Sequence, residues 1–184
     1  DAADSERAII FAVSESGPAA CVFAANYPER VTALILYGTF AKGTRDDNYP
    51  HMPSRKMHDT WQAHLIDNWG GPASLGLFAP SHALDPMYRD AWARYLRSAT
   101  TPGGMKSILK TMRDCDVRHA LPNIRCPTLV MHRTGDKLVD WRAGRDLAAA
   151  IPDSEFIALD GDDHWWFVGD SQSVLDAMQP YLDT

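Results

Sequence analysis

Cysteine is scarce in this chain: Cys21, Cys115 and Cys126 are the three present among 184 residues. No two are spaced Cys-x-x-Cys, and an odd number leaves no complete disulfide framework. The seven histidines cluster neither with cysteines nor with one another at ligand spacing, so no metal site and no cofactor is expected. Positive charge is also short. Lysine and arginine number 18 against 24 aspartates and glutamates, a formal net charge of −6, which gives neither a nucleic-acid footprint nor a polybasic stretch for anionic lipid. No apolar run approaches the length of a membrane span. The leading Asp1-Ala2-Ala3-Asp4 lacks the apolar core of a signal peptide. Repeats and low-complexity tracts are missing too. These absences point to a cytoplasmic globular chain with reduced, mostly buried thiols and a small molecule as its ligand.

What is present is a core. Hydrophobic residues make up 45% of the chain, enough for one domain of this length. "AIIFAV" (8–13) is apolar without alternation, the pattern of a strand buried on both faces. Gly17-Pro18 then opens an alanine-rich helix that Pro28 closes. "VTALILY" (31–37) is a second buried strand, so the unit reads as βαβ with parallel strands. From Thr39 to Pro122 strand signals stop. Helices are predicted in "HDTWQAHLIDNWG" (58–70), in "DPMYRDAWARYLRSA" (85–99, Asp85 as N-cap) and from "TPGGMKSILKTMRDCDVRHAL" (101–121). The βα alternation returns with "CPTLVMHR" (126–133), a helix capped by Asp140, "SEFIALD" (154–160) and a helix capped by Asp170. The predicted fold class is α/β: a parallel sheet whose core spans 1–40 and 123–184, with a helical cap inserted over 41–122.

Strand, tight turn with serine, then helix is the context of a nucleophile elbow. The usual G-x-S-x-G is here Ala12-Val13-Ser14-Glu15-Ser16, with both glycines replaced by the next smallest residues. Centring the motif on Ser16 would place Pro18 where close packing is needed, so Ser14 is the preferred nucleophile. The backbone N–H of Glu15 would then serve an oxyanion hole at a helix N-terminus. A serine nucleophile needs a base and an orienting acid. Asp136, in "RTGDK", and His164, in "GDDHWW", each follow a strand end and come in the order acid, then histidine. Asp136 is equally compatible with a plain turn. Asp160, Asp162 and Asp163 are nearer to His164 in sequence, but their own loop would struggle to fold one of them beneath the ring. His132 reads as a packed strand residue. His51, His58, His64, His82 and His119 read as surface or cap residues.

These motifs carry a family likeness. "AVSESGPAACVFAANYPERVTALILYGTFA", "CPTLVMHRTGDKLV" and "GDDHWWFVGD" resemble the esterase-like α/β-hydrolases that occur alone or fused to nucleotide cyclase or transcription-regulator domains, over the C-terminal two-thirds of that fold. The resemblance implies a Ser14–His164–Asp136 triad acting on small to medium apolar esters, with the cap over the acyl site. Trp61, Trp69 and Trp165, with Trp92 and Trp166, are natural walls for an apolar pocket, or simply packing residues. The departures are the two replaced glycines and the front of the fold. The family's earlier strands, and the loop that gives the second oxyanion donor, have no counterpart before Ala8. A second chain or segment, or an edge-to-edge homodimer, is therefore expected beside that strand, and the chain alone is expected to be a weak catalyst. A non-catalytic ligand-sensing module on the same scaffold is the alternative. Perhydrolase or carbon–carbon bond hydrolysis also remains open, whereas a dehalogenase or epoxide hydrolase would need Asp at position 14.

Overall fold

The computed structural model describes residues 5–183; the acidic lead at 1–4 lies outside them. Four strands, β1 (Ala8–Val13), β2 (Val31–Tyr37), β3 (Thr128–Arg133) and β4 (Ser154–Leu159), form one sheet in the order β1-β2-β3-β4. Every neighbouring pair is parallel. Helix α1 (Gly17–Asn26) joins β1 to β2. Four helices, α2 (Arg55–Asp67), α3 (Leu75–Phe78), α4 (Pro86–Ala99) and α5 (Pro102–Asp114), lie between β2 and β3. Helix α6 (Trp141–Ala149) joins β3 to β4, and α7 (Ser171–Leu182) follows.

The unbroken apolar runs are explained by two buried sheet faces. Leu34 and Leu36 point into one cluster with Cys21, Val130 and Leu147, beneath α1 and α6. Ile35 and Tyr37 point into the other, with Met131, Val174 and Met178 beneath α7. The inserted helices carry a third cluster around Leu65, Trp92, Leu96 and Leu109, to which Val168 and Trp165 contribute. Asp85, Asp140 and Asp170 cap their helices as expected, each accepting from a backbone N–H of the first turn.

Three details differ from the sequence reading. Helix α3 carries no periodicity long enough to predict it. Helix α5 stops at Asp114, not near 121, because Cys115 turns extended (φ −70°, ψ 145°) and Asp116 bridges to Lys42. Only Ala12 of β1 is fully buried. As the outer strand it pairs only with β2 among the described residues. Among those residues no helix is long and apolar enough to cross a membrane.

The βα junction is tight at Gly17. A Cβ there would overlap the buried Thr39 side chain just beyond β2. Gly17→Ala is therefore expected to lower stability by about 1–3 kcal/mol in urea unfolding. Gly103→Ala, where a Cβ would meet nothing nearer than Thr101 Oγ1 at 3.9 Å, should be neutral or gain up to ~1 kcal/mol. Equal effects at the two sites would mean that Thr39 simply gives way.

Candidate active site

Ser14, Asp136 and His164 all follow strand C-termini, on one edge of the sheet. Ser14 is buried and has φ 53°, a left-handed conformation that costs a non-glycine residue about 1–3 kcal/mol. Its neighbours hold it there. The Val13 N–H donates to Ser16 Oγ (2.9 Å), and the Ser16 hydroxyl donates to the Val13 carbonyl (2.7 Å). Thr39 Oγ1 donates to the Ser14 carbonyl at 2.6 Å. Ser16 is thus more than a small stand-in for glycine: its hydroxyl closes the turn. The small residue required for close helix–sheet approach is Gly17, one position later.

Asp136 lies in the turn after β3. Its Oδ1 accepts from the backbone N–H groups of Leu138 (2.8 Å) and Val139 (3.1 Å). Its Oδ2 accepts from His164 Nδ1 at 2.7 Å and from His132 Nε2 at 3.2 Å. Burial pushes the carboxyl upward, but the two imidazole donors outweigh it and hold Asp136 well below the usual carboxylate range. Asp163, next to His164 in sequence, has a different partner. Asp163 accepts from Ser81 N and Oγ, at 3.0 and 2.8 Å, which ties the histidine loop to the inserted helices. His164 and Trp165 donate their backbone N–H groups to the Phe78 carbonyl. Arg133, fully buried, donates to the carbonyls of Asp163, Trp165, Trp166 and Asp170 at 3.0–3.5 Å.

His164 Nε2 is buried and has no hydrogen-bond partner. Ser14, Glu15 and His164 together line a cavity of about 590 Å³. The rest of the wall is mostly apolar, with Thr100, Tyr88 and Tyr95 among its residues. Trp61 and Trp165 line it, with Trp92 and Trp166; Trp69 does not, and packs half-buried in the insertion's own cluster. Glu15 is exposed and borders the cavity. Among the described residues no group of three or more His, Cys, Asp or Glu is placed to hold a metal ion.

His132, Arg133 and Ser16 are the residues whose roles the sequence concealed. The available signal was "HR" ending an otherwise apolar strand: two polar residues there need buried partners.

A family model described as alpha/beta hydrolase fold matches residues 1–170. The pimeloyl-acyl-carrier-protein methyl ester esterase of Chromobacterium violaceum is 26% identical over 165 residues, covering 88% of this chain and 65% of that protein. The chain thus spans just under two thirds of that relative's length. Among solved structures, the enol-lactonase from Burkholderia xenovorans LB400 superposes with a TM-score of 0.78 at 21% identity, over 99% of this chain and 68% of the other. A hydrolase from Oleispira antarctica superposes with a TM-score of 0.86 at 17% identity, over 99% and 67%. These two likenesses establish the fold alone.

The Asp136 environment has a consequence for stability. A folded-state carboxyl held below its unfolded value near 3.9 stabilises fully above that pH, and the contribution is lost as pH falls through the depressed range. Between pH 5 and pH 3 the wild type should lose about 1 kcal/mol more unfolding free energy than Asp136→Asn, measured by urea titration. Parallel losses would show that Asp136 is not the group responsible.

Proposed function

This chain belongs to the alpha/beta hydrolase family, and from that premise we propose that it is a serine hydrolase cleaving uncharged, apolar carboxylic esters. The observation that supports this most is the shared cavity. A serine held at φ 53° and a histidine with an unpartnered Nε2 line one apolar space, and that histidine's Nδ1 is bonded to a buried carboxylate. In the proposed mechanism His164 Nε2 takes the Ser14 proton as Ser14 Oγ attacks the ester carbonyl. Asp136 fixes the Nδ1–H tautomer and stabilises the imidazolium. The Glu15 backbone N–H stabilises the oxyanion, aided by its position at the start of α1. His164 then protonates the leaving alcohol, and a water activated by the same histidine releases the acid.

The substrate class follows from the wall. Among the described residues, Glu15 is the only acidic or basic one other than His164 that borders the cavity, so a carboxylate or phosphate on the substrate would meet no cation there. The curated relative acts, by its name, on a methyl ester, and a neutral ester is what this cavity suits. The inserted helices form a cap in this reading: α4 and α5 supply one side of the acyl site. The unpaired side of β1 is the place where a second chain, a further segment or another copy would dock. Such a partner would bring the second oxyanion donor.

A fluorophosphonate probe tests the nucleophile directly. Labelling is expected in the wild type and absent in Ser14→Ala, with Ser16→Ala still labelled. Turnover of p-nitrophenyl butyrate should fall at least about 10³-fold in Ser14→Ala. An unlabelled wild type that still binds apolar esters would instead support the non-catalytic alternative.

A further inference from the structure

Two imidazoles share Asp136 Oδ2, and the mechanism above uses one of them. The other, His132 on β3, has no exposed surface. Its Nε2 lies 3.2 Å from Asp136 Oδ2 and 3.0 Å from the Val139 carbonyl oxygen. A carbonyl only accepts, so Nε2 carries the proton and divides it between the two oxygens. Nδ1 is buried without a partner. It faces Gly144 of α6, where a Cβ would lie 2.6 Å away; the glycine gives the ring its room. With Leu138 and Val139 on Oδ1, each carboxylate oxygen receives two N–H donors, which fills the acceptor capacity of Asp136.

We propose that His132 is a positioning residue: it shares Asp136 with His164, fixes the carboxylate's orientation and draws off part of its charge, and so sets how firmly His164 holds its proton. This rests on His164 being the general base. Where a hydrogen bond to Oδ2 is lost, more of the carboxylate's charge acts on His164, and the imidazolium persists to higher pH. Other ionisable groups near the pair include Tyr37 at the end of β2, Arg133 on β3, Asp162 against Gly135 and Asp163 beside His164, with Glu15 on the cavity wall. Helix α6 presents Gly144, which carries no charge.

Two variants separate donor from ring. His132→Phe keeps an aromatic ring and removes the N–H; His132→Gln keeps an N–H of similar reach. In the pH profile of kcat/KM for p-nitrophenyl butyrate, His132→Phe should move the acidic limb up by about one unit. kcat on that limb should fall roughly tenfold, with KM changed less than about twofold. His132→Gln should return the limb toward the wild-type position. A purely structural role would lower activity without moving the limb.

Imidazole ¹H–¹⁵N NMR gives a readout that needs no turnover. The wild-type His132 should be the Nε2–H tautomer. The His164 Nδ1–H resonance should move further downfield in His132→Phe, where its acceptor is no longer shared. An Nδ1–H tautomer for His132, or a limb and resonance both unmoved in a folded His132→Phe, would overturn the proposal. Should His132→Phe not fold, the tautomer and His132→Gln decide: an Nε2–H ring with a near-wild-type limb in His132→Gln supports it, and an Nδ1–H ring rejects it. A wild type without fluorophosphonate reactivity would remove the hydrolase reading, while the spectra would still show whether His132 and His164 share the carboxylate.

Discussion

A buried carboxylate at the C-terminal edge of the sheet organises the surrounding loops. Removing an ion from water is costly unless its acceptor sites are filled. Asp136 is filled by donors from three sources: its own turn, the strand it follows, and the loop after β4. Each source needs space to approach. Gly144 leaves room for His132, and Gly135 allows contact between the acid turn and the histidine loop, where a Cβ would overlap Asp162. Gly135 N–H in turn donates to the Gly161 carbonyl at 3.0 Å. The glycines at this edge thus mark the clearances that one saturated carboxylate demands.

Arg133 is the complementary ion. It is fully buried, yet its hydrogen bonds among the described residues go to carbonyl oxygens of the loop at 163–170 and to no carboxylate side chain. Partial charges on several carbonyls substitute for one counter-ion. The effect is to wrap the histidine loop around a point fixed by β3, next to the strand end that supplies Asp136. The same loop is bonded from the other side by Phe78 and Ser81. His164 is therefore held between the sheet and the inserted helices, and those helices support the ring as well as walling the cavity.

Much of this was legible in the sequence, for a physical reason. Parallel strands buried on both faces leave unbroken apolar runs, and the polar residue that ends each run falls at the same sheet edge. That places Ser14, Asp136 and His164 together without any knowledge of contacts. Asp85, Asp140 and Asp170 were readable because capping is a local interaction. What could not be read depends on partners distant in the chain. The Gly17–Thr39 approach, the Arg133 carbonyl shell and the His132 bond to the acid turn need the folded sheet before they have meaning. Trp69 could not be placed from the sequence because a tryptophan at helical spacing fits a pocket wall and a packed cluster equally well; it packs in the insertion's cluster.

The strand order explains why one more glycine is needed. Ser14 leaves β1 and Asp136 leaves β3, with the end of β2 between them. His164 arrives from beyond β4 and must cross over β3 to reach the serine's side. Its ring therefore passes over the end of β2, where Gly38 stands at φ 58° and a Cβ would approach His164 Cε1 to 3.1 Å. A side chain there would push the imidazole away from Ser14 and strain a left-handed backbone as well. So β1 contributes a hydroxyl, β3 a carboxylate, the loop after β4 an imidazole, and β2 the absence of a side chain. The His164 ring can lie over the end of β2 while bonded to Asp136 only because the residue that follows that strand is glycine.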